Sequence, residues 1–214
     1  MTIRKLLVPM GATDAGRQAL EAAFAIATAF SAHVEVVHVR PDPQDAVPLL
    51  GEGVSGAMVE ELIILTEKEA AASAAKAKQH FEDCRLRREI AVAHTPSLAG
   101  PSTCWTEIVG RENDVTAAQG RLADLIVVGS SLSEPGSAAA ATLTAALFES
   151  GRPVLVVSDV LRGIGKRIAI AWNGSAEAAR SVSAALPFLH RAEAVILFSA
   201  ATERTSADAA SMPT

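Results

Sequence analysis

Cysteine is scarce in this sequence: of 214 residues only two, Cys84 and Cys104, carry a thiol. They form no C-x-x-C pair and no histidine cluster accompanies them, so neither a disulfide framework nor a zinc knuckle is expected. Two free thiols in a reducing compartment is the simplest reading. Basic runs are missing as well. With 19 Lys and Arg against 24 Asp and Glu, the net charge is −5, and no cluster marks a phosphate-backbone footprint. Nucleic acid is therefore not an expected partner. Long apolar runs are also absent. The segment after Met1-Thr2-Ile3-Arg4-Lys5 lacks the roughly 7–15-residue apolar core of a signal peptide. The longest apolar stretches are too short and too rich in alanine to span a bilayer. A cytoplasmic chain with no membrane partner is expected.

Catalytic signatures are equally thin. His33, His38, His80, His94 and His190 are scattered, and none has a carboxylate or Cys at ligand spacing, so no metal site is expected. There is no G-x-S-x-G elbow and no Ser/His/Asp set to nominate. His38 reads as a core or pocket-edge residue. Gly51-Glu52-Gly53-Val54-Ser55-Gly56 fits G-x-G-x-x-G by letter. It lies after the second predicted strand, whereas a dinucleotide site needs it directly after the first, so it reads as a loop and helix start.

What the chain does have is apolar patterning: half of it is hydrophobic, enough for a sizeable core. Ile3 to Pro9 reads as a buried strand, with Thr13 or Asp14 as the N-cap of a helix from Ala15 to Phe30. Val34 to Val39 is β-branched and stops at Arg40-Pro41. Strand, helix and strand make a βαβ unit, the building block of doubly wound parallel sheets. A long helix over Gly56 to Arg87 has a mixed face at Leu62, Leu65, Glu69 and Ala72. A strand falls near Cys104 to Val109, and a helix over Asp114 to Leu122 is capped by Asn113 or Asp114. Asp124 to Gly129 is a continuous apolar run suited to a central strand buried on both faces. Ala139 to Glu149 is helical, Gly151 stops it, and Pro153 to Val157 is a further strand.

The pattern then restarts. Lys166-Arg167-Ile168-Ala169-Ile170-Ala171-Trp172-Asn173-Gly174-Ser175 lies over Arg4-Lys5-Leu6-Leu7-Val8-Pro9-Met10-Gly11-Ala12-Thr13. A helix over Ala176 to Leu189 and a strand over Ala194 to Phe198 complete a second βαβ unit. Trp105 and Trp172 read as packing residues, although Trp172 follows a strand at the edge where ligands bind. The composition from Thr202 onward is small and polar and predicts a disordered tail.

Val8-Pro9, His38-Val39-Arg40-Pro41, Leu122 to Gly129 and Arg152-Pro153-Val154-Leu155-Val156-Val157, in that order, resemble a universal stress protein domain. Ala171 to Ala178 resembles the start of the second domain in the tandem type. The resemblance implies an α/β fold: a Rossmann-like, open, parallel five-stranded sheet with helices on both faces, followed by a partial second βαβ unit. It divides the chain into a first domain at 1–158, a linker at 159–165, a partial second domain at 166–200 and a disordered tail at 201–214. It also implies a pocket at the carboxyl ends of the strands.

Nucleotide-binding members resemble one another in an Asp after the first strand and a G-x-x-G-x9-G-[S/T] loop after the fourth. Its glycines let backbone N–H groups approach phosphate. By that resemblance the nucleotide-site candidates are Pro9, Met10, Gly11, Val39, Gly129, Ser130 and Ser131. The pattern is broken, however. Gly11 stands where the acid belongs, Gly129 matches the first loop glycine, Leu132 replaces the second, and Ala139-Ala140-Ala141-Thr142 has no third. The second copy offers its own loop at Trp172, Asn173, Gly174 and Ser175, with Asn in place of Asp.

The resemblance implies a non-enzymatic stress-response or regulatory protein acting through a small-molecule ligand or a protein, with no cofactor and no ATP in the first domain. The alternative is an adenine-nucleotide (ATP) binder with at most slow hydrolysis. It further implies a homodimer paired through the last strand of the first domain, at Val154, Leu155, Val156 and Val157.

Overall fold

A computed structural model describes residues 2–42, 56–97, 99–130, 138–158 and 163–199, without the side chain of Ala138. The chain divides into two compact units, one of Arg4–Val160 and one of Leu161–Thr214 with Met1–Ile3.

The first unit runs β1 (Lys5–Pro9), α1 (Asp14–Phe30), β2 (His33–Arg40), α2 (Gly56–Arg87), β3 (Ala91–Val92), β4 (Ser102–Val109), α3 (Glu112–Gly120), β5 (Leu125–Gly129), α4 (Ala138–Glu149) and β6 (Val154–Val157). All its strand pairs are parallel, in the order β3-β4-β2-β1-β5-β6. From β1 the order runs one way through β2 and β4, and the other way through β5 and β6. The topological switch point, where open α/β sheets bind ligands, therefore lies between the carboxyl ends of β1 and β5. The five expected strands are joined by a sixth. Ile90 is buried, and Ala93 N–H donates to the Thr103 carbonyl at 2.9 Å, holding the two residues of β3 against β4. So short a strand leaves little open ladder at that edge.

Alternation sorts the strands' side chains to two faces. Leu6, Val8, Val34 and Val36 are buried on the face covered by α1, whose Leu20 and Phe24 are also buried. Phe24 meets Phe81 of α2 with ring centroids 6.4 Å apart, and Phe81 meets Trp105 of β4 at 5.4 Å. Leu7, Val37, Ile126 and Val128 form the other face, packed with Ala146 and Leu143 of α4 and Val115 of α3.

Two helices differ from their sequence reading. The buried stripe of α2 is Ala70, Ala74, Ala77, Phe81 and Cys84, whereas Leu65, Glu69 and Ala72 face solvent. Small alanines let the helix lie close to its neighbours, and apolar character alone does not reveal that choice. Helix α3 begins at Glu112, two residues before the expected start, with Arg111 in the N-cap position and no side-chain cap bond. Asn113 and Asp114 lie inside its first turn, where acids favour the helix dipole. Helix α1 is capped by Thr13, whose Oγ1 accepts from Gly16 N–H at 3.1 Å. Gly151 has φ 66°, the left-handed conformation expected just past the end of α4.

The second unit is β7 (Arg167–Trp172), α5 (Ala176–Leu189) and β8 (Ala194–Ser199), with β7 and β8 parallel. It reproduces the start of the first unit in detail. Ser175 caps α5 by accepting from Ala178 N–H at 3.1 Å, as Thr13 caps α1. Lys166 C=O accepts from Ala194 N–H, as Arg4 C=O accepts from His33 N–H.

Candidate functional site

In the first unit Pro9, Met10 and Gly11 lie at the carboxyl end of β1, and Gly129 and Ser130 at that of the neighbouring β5. Ser131 lies outside the described residues, as do Gly51–Ser55 of the glycine-rich motif; Gly56 opens α2. Met10 and Ser130 are already engaged. Met10 is buried, its N–H donates to Val37 C=O at 2.8 Å, and its C=O lies 2.7 Å from His38 Nδ1. Ser130 N–H donates to Val157 C=O at 2.6 Å, extending the β5–β6 ladder by one bond. Val39 packs against the core under α3 and α4.

Gly129 has a packing reason to be glycine. A Cβ there would lie 2.2 Å from Ala15 O and 2.7 Å from Ala15 Cβ. The first turn of α1 therefore sits directly on the end of β5 at Gly129. Gly16 serves the same close approach, since a Cβ there would meet Gly11 O at 2.7 Å. Gly11 itself has room, with Thr13 Oγ1 the nearest atom at 3.8 Å.

Sequence reasoning missed two polar arrangements. Glu112, in the first turn of α3, hydrogen-bonds Thr142 of α4. Burial pushes its carboxyl pKa up; the Thr142 hydrogen bond and the nearby His38 oppose that rise without overcoming it. An acid just inside a helix start after a strand was the available signal. The second arrangement joins a histidine to residues far from it in sequence. His33 Nδ1 lies 2.9 Å from Ser102 Oγ, and Nε2 lies 3.4 Å from Cys104 Sγ. The β2–β4 register brings these residues together from about seventy positions apart, which spacing along the chain does not reveal. Burial lowers the His33 pKa and raises that of Cys104, where the Glu35 carboxylate adds to the rise. The pair is a neutral imidazole and a thiol, not an activated thiolate. No group of three metal-ligating side chains occurs among the described residues.

In the second unit, the loop predicted at Trp172, Asn173, Gly174 and Ser175 borders an open cleft of about 490 Å³. Trp172, Asn173 and Ser175 line it from the end of β7, Glu177 and Ser181 from α5, and Phe198 from β8. Asn173 Oδ1 accepts from Ser175 N–H at 3.0 Å, and Gly174 takes φ 75°, so the turn is internally fixed. No Lys or Arg lines the cleft, and Glu177 places a carboxylate on its wall.

The family model for the universal stress protein family matches residues 2–158. This chain belongs to that family. No curated protein matches it. Among solved structures, a universal stress protein from Archaeoglobus fulgidus DSM 4304 superposes with a TM-score of 0.59 at 13% identity, covering 93% of this chain and 68% of that one. The universal stress protein UspA from Lactobacillus plantarum gives 0.49 at 21% identity, over 73% of this chain and 99% of that one. A universal stress protein family protein from Arabidopsis thaliana, solved with AMP bound, gives 0.43 at 14% identity, over 82% and 98%. At 13% identity, the superposition at a TM-score of 0.59 shows the fold. No helix among the described residues of this universal stress protein is long and apolar enough to cross a membrane.

Proposed function

We propose that this universal stress protein is a non-enzymatic, cytoplasmic regulatory protein that works by binding, and that its small-molecule site is the cleft of the second unit. The supporting observation is a contrast between two equivalent loops. In the first unit the Ser130 amide is taken up by the sheet and Gly129 is filled against Ala15, whereas Trp172, Asn173 and Ser175 border an open cleft. The cleft's chemistry suits a flat, neutral or cationic heteroaromatic ring. Trp172 and Phe198 offer aromatic surface, and Asn173, Ser175 and Ser181 offer polar contacts. Glu177 on the wall already holds Arg180 Nη1 at 3.4 Å, and no Lys or Arg among the lining residues is there to take a polyphosphate.

An adenine-nucleotide site in the first unit is the second reading. It draws on Arg40 Nε, which is buried at the carboxyl end of β2 without a hydrogen-bond partner among the described residues. Titrating adenosine and Mg-ATP into wild type and Trp172→Ala by calorimetry separates the readings. The cleft reading expects adenosine to bind at least as well as Mg-ATP, and both to be lost in Trp172→Ala. Mg-ATP binding that exceeds adenosine binding and survives the substitution assigns the site to the first unit.

The domain division at 1–158, 159–165 and 166–200 belongs to the same reading, while 201–214 lies outside the described residues. Homodimerisation through Val154 to Val157 is also part of it. Among the described residues, strand β6 ends the sheet order beside β5, and Val156 is exposed. An open apolar edge favours pairing with a second copy.

A further inference from the structure

The chain has two asparagines, Asn113 and Asn173, and they sit in opposite surroundings. Asn113 is half-buried in the first turn of α3 and is followed by Asp114. Asn173 is exposed in the turn between β7 and α5, and the residue after it, Gly174, is exposed too. Gly174 takes φ 75° and has no Cβ, so no side chain shields its amide nitrogen. Among the described residues, neither the Gly174 N–H nor the Asn173 side-chain NH2 has a hydrogen-bond partner.

The one bond of the Asn173 side chain bears on its reactivity. Oδ1 accepts from Ser175 N–H at 3.0 Å. That bond closes a ring containing the Gly174 amide, so the side-chain carbonyl and the Gly174 nitrogen are held in one tight turn. It also polarises the carbonyl and places a donor where negative charge on the oxygen would develop. Helix α5, 14 residues long, starts at Ala176 and turns the positive end of its dipole to the same turn.

We propose that Asn173 is a self-modification site, at which the chain converts asparagine to aspartate and isoaspartate with water as the only co-reactant. The Gly174 nitrogen gives its proton to water or hydroxide and attacks Asn173 Cγ. A carbon–nitrogen bond forms, Ser175 N–H holds the oxyanion, and the side-chain nitrogen leaves as ammonia. Water then opens the five-membered imide. Attack at Cγ gives aspartate, and attack at the main-chain carbonyl gives isoaspartate. One water is consumed, one ammonia is released, and nothing is oxidised or reduced. The product adds a carboxylate to that of Glu177 on the cleft wall, and the isoaspartate form also lengthens the main chain by one methylene between β7 and α5. Asn113 stays out of this chemistry. Its helical backbone turns the next amide nitrogen away from Cγ, and Asp114 sets a side chain beside that nitrogen.

The test is peptide-mapping mass spectrometry of the full chain aged in neutral and in mildly alkaline buffer, with a synthetic peptide of residues 168–178 aged alongside. The expected result is a gain of one mass unit at Asn173 that quickens with pH and runs at least as fast in the folded chain as in the peptide, while Asn113 keeps its amide. Ser175→Pro fits the observed φ of −77° and removes the N–H together with the hydroxyl cap, whereas Ser175→Ala removes the cap alone. The proline variant should slow the conversion at least about tenfold, and the alanine variant should leave it within about threefold. An Asn173 amide that lasts as long as that of Asn113, or that reacts more slowly in the folded chain than in the peptide, overturns the inference. So do equal rates in Ser175→Pro and Ser175→Ala. Should the proline variant not fold, the comparison of folded chain and peptide decides by itself.

Discussion

Replacing Gly129 by alanine tests whether that glycine serves packing or ligand approach. The added methyl group would sit 2.2 Å from Ala15 O, 2.5 Å from Ala15 C and 2.7 Å from Ala15 Cβ. These are backbone atoms and a Cβ, so no flexible side chain can swing aside. Relief requires the first turn of α1 to move outward by about 1 Å, which also disturbs the Thr13 cap and the approach of Gly16 to Gly11. Overpacking of this kind costs about 1–3 kcal/mol. For a unit of this size that is a melting-point fall of roughly 3–10 °C. Gly11→Ala is the control: its Cβ meets nothing closer than 3.8 Å and its φ is not positive, so stability should change by less than about 0.5 kcal/mol. Urea denaturation of the three proteins, followed by circular dichroism, measures the difference. If Gly129→Ala is as stable as wild type, α1 does not seat on β5 as described, and ligand approach again becomes the explanation for the glycine.

Three further outcomes are expected. Burial holds the Glu112 pKa above its unfolded value, so its contribution is fully present below the unfolded pKa and is lost as pH rises through the folded one. Glu112→Gln should therefore melt higher than wild type at pH 8 and show a flatter decline from pH 5 to 8. Asp124→Ala removes the acceptor of two backbone bonds, from Arg4 and Lys5, and should cost about 1–3 kcal/mol in denaturant unfolding. Val156→Asp places a charge on the exposed β6 edge and should convert a dimer to a monomer by light scattering while leaving the melting temperature of the first unit within a few degrees.

Much of the fold was legible because it rests on local pattern. The β-branched runs of β2 and β5 and the proline or glycine at strand ends fixed the elements, and the repeat lays Ser175 over Thr13, which cap α5 and α1 in the structure. The bounds of α2, Gly56–Arg87, were read directly, yet its inward face was not. Alanine is as favourable on a solvated helix face as on a buried one, so composition does not reveal which alanines meet the sheet. The site was legible only in part. Loop positions at the carboxyl edge follow from topology, and the missing glycines of the phosphate loop were visible by count. Contacts across strands and helices were not. The His33–Cys104 and Glu112–Thr142 pairs depend on register and on the approach of α3 to α4, which no spacing along the chain encodes. The packing role of Gly129 likewise depends on where α1 starts, a residue-level detail of tertiary structure.

The central claim is that small-molecule binding resides in the Trp172 cleft and not at Gly129–Ser130. Calorimetric titration of adenosine and Mg-ATP, run in parallel on wild type and Trp172→Ala, addresses it most directly. The account predicts saturable adenosine binding to wild type, no gain from the triphosphate, and loss of both in the variant. Mg-ATP binding that is tighter than adenosine binding and unchanged in Trp172→Ala would contradict it.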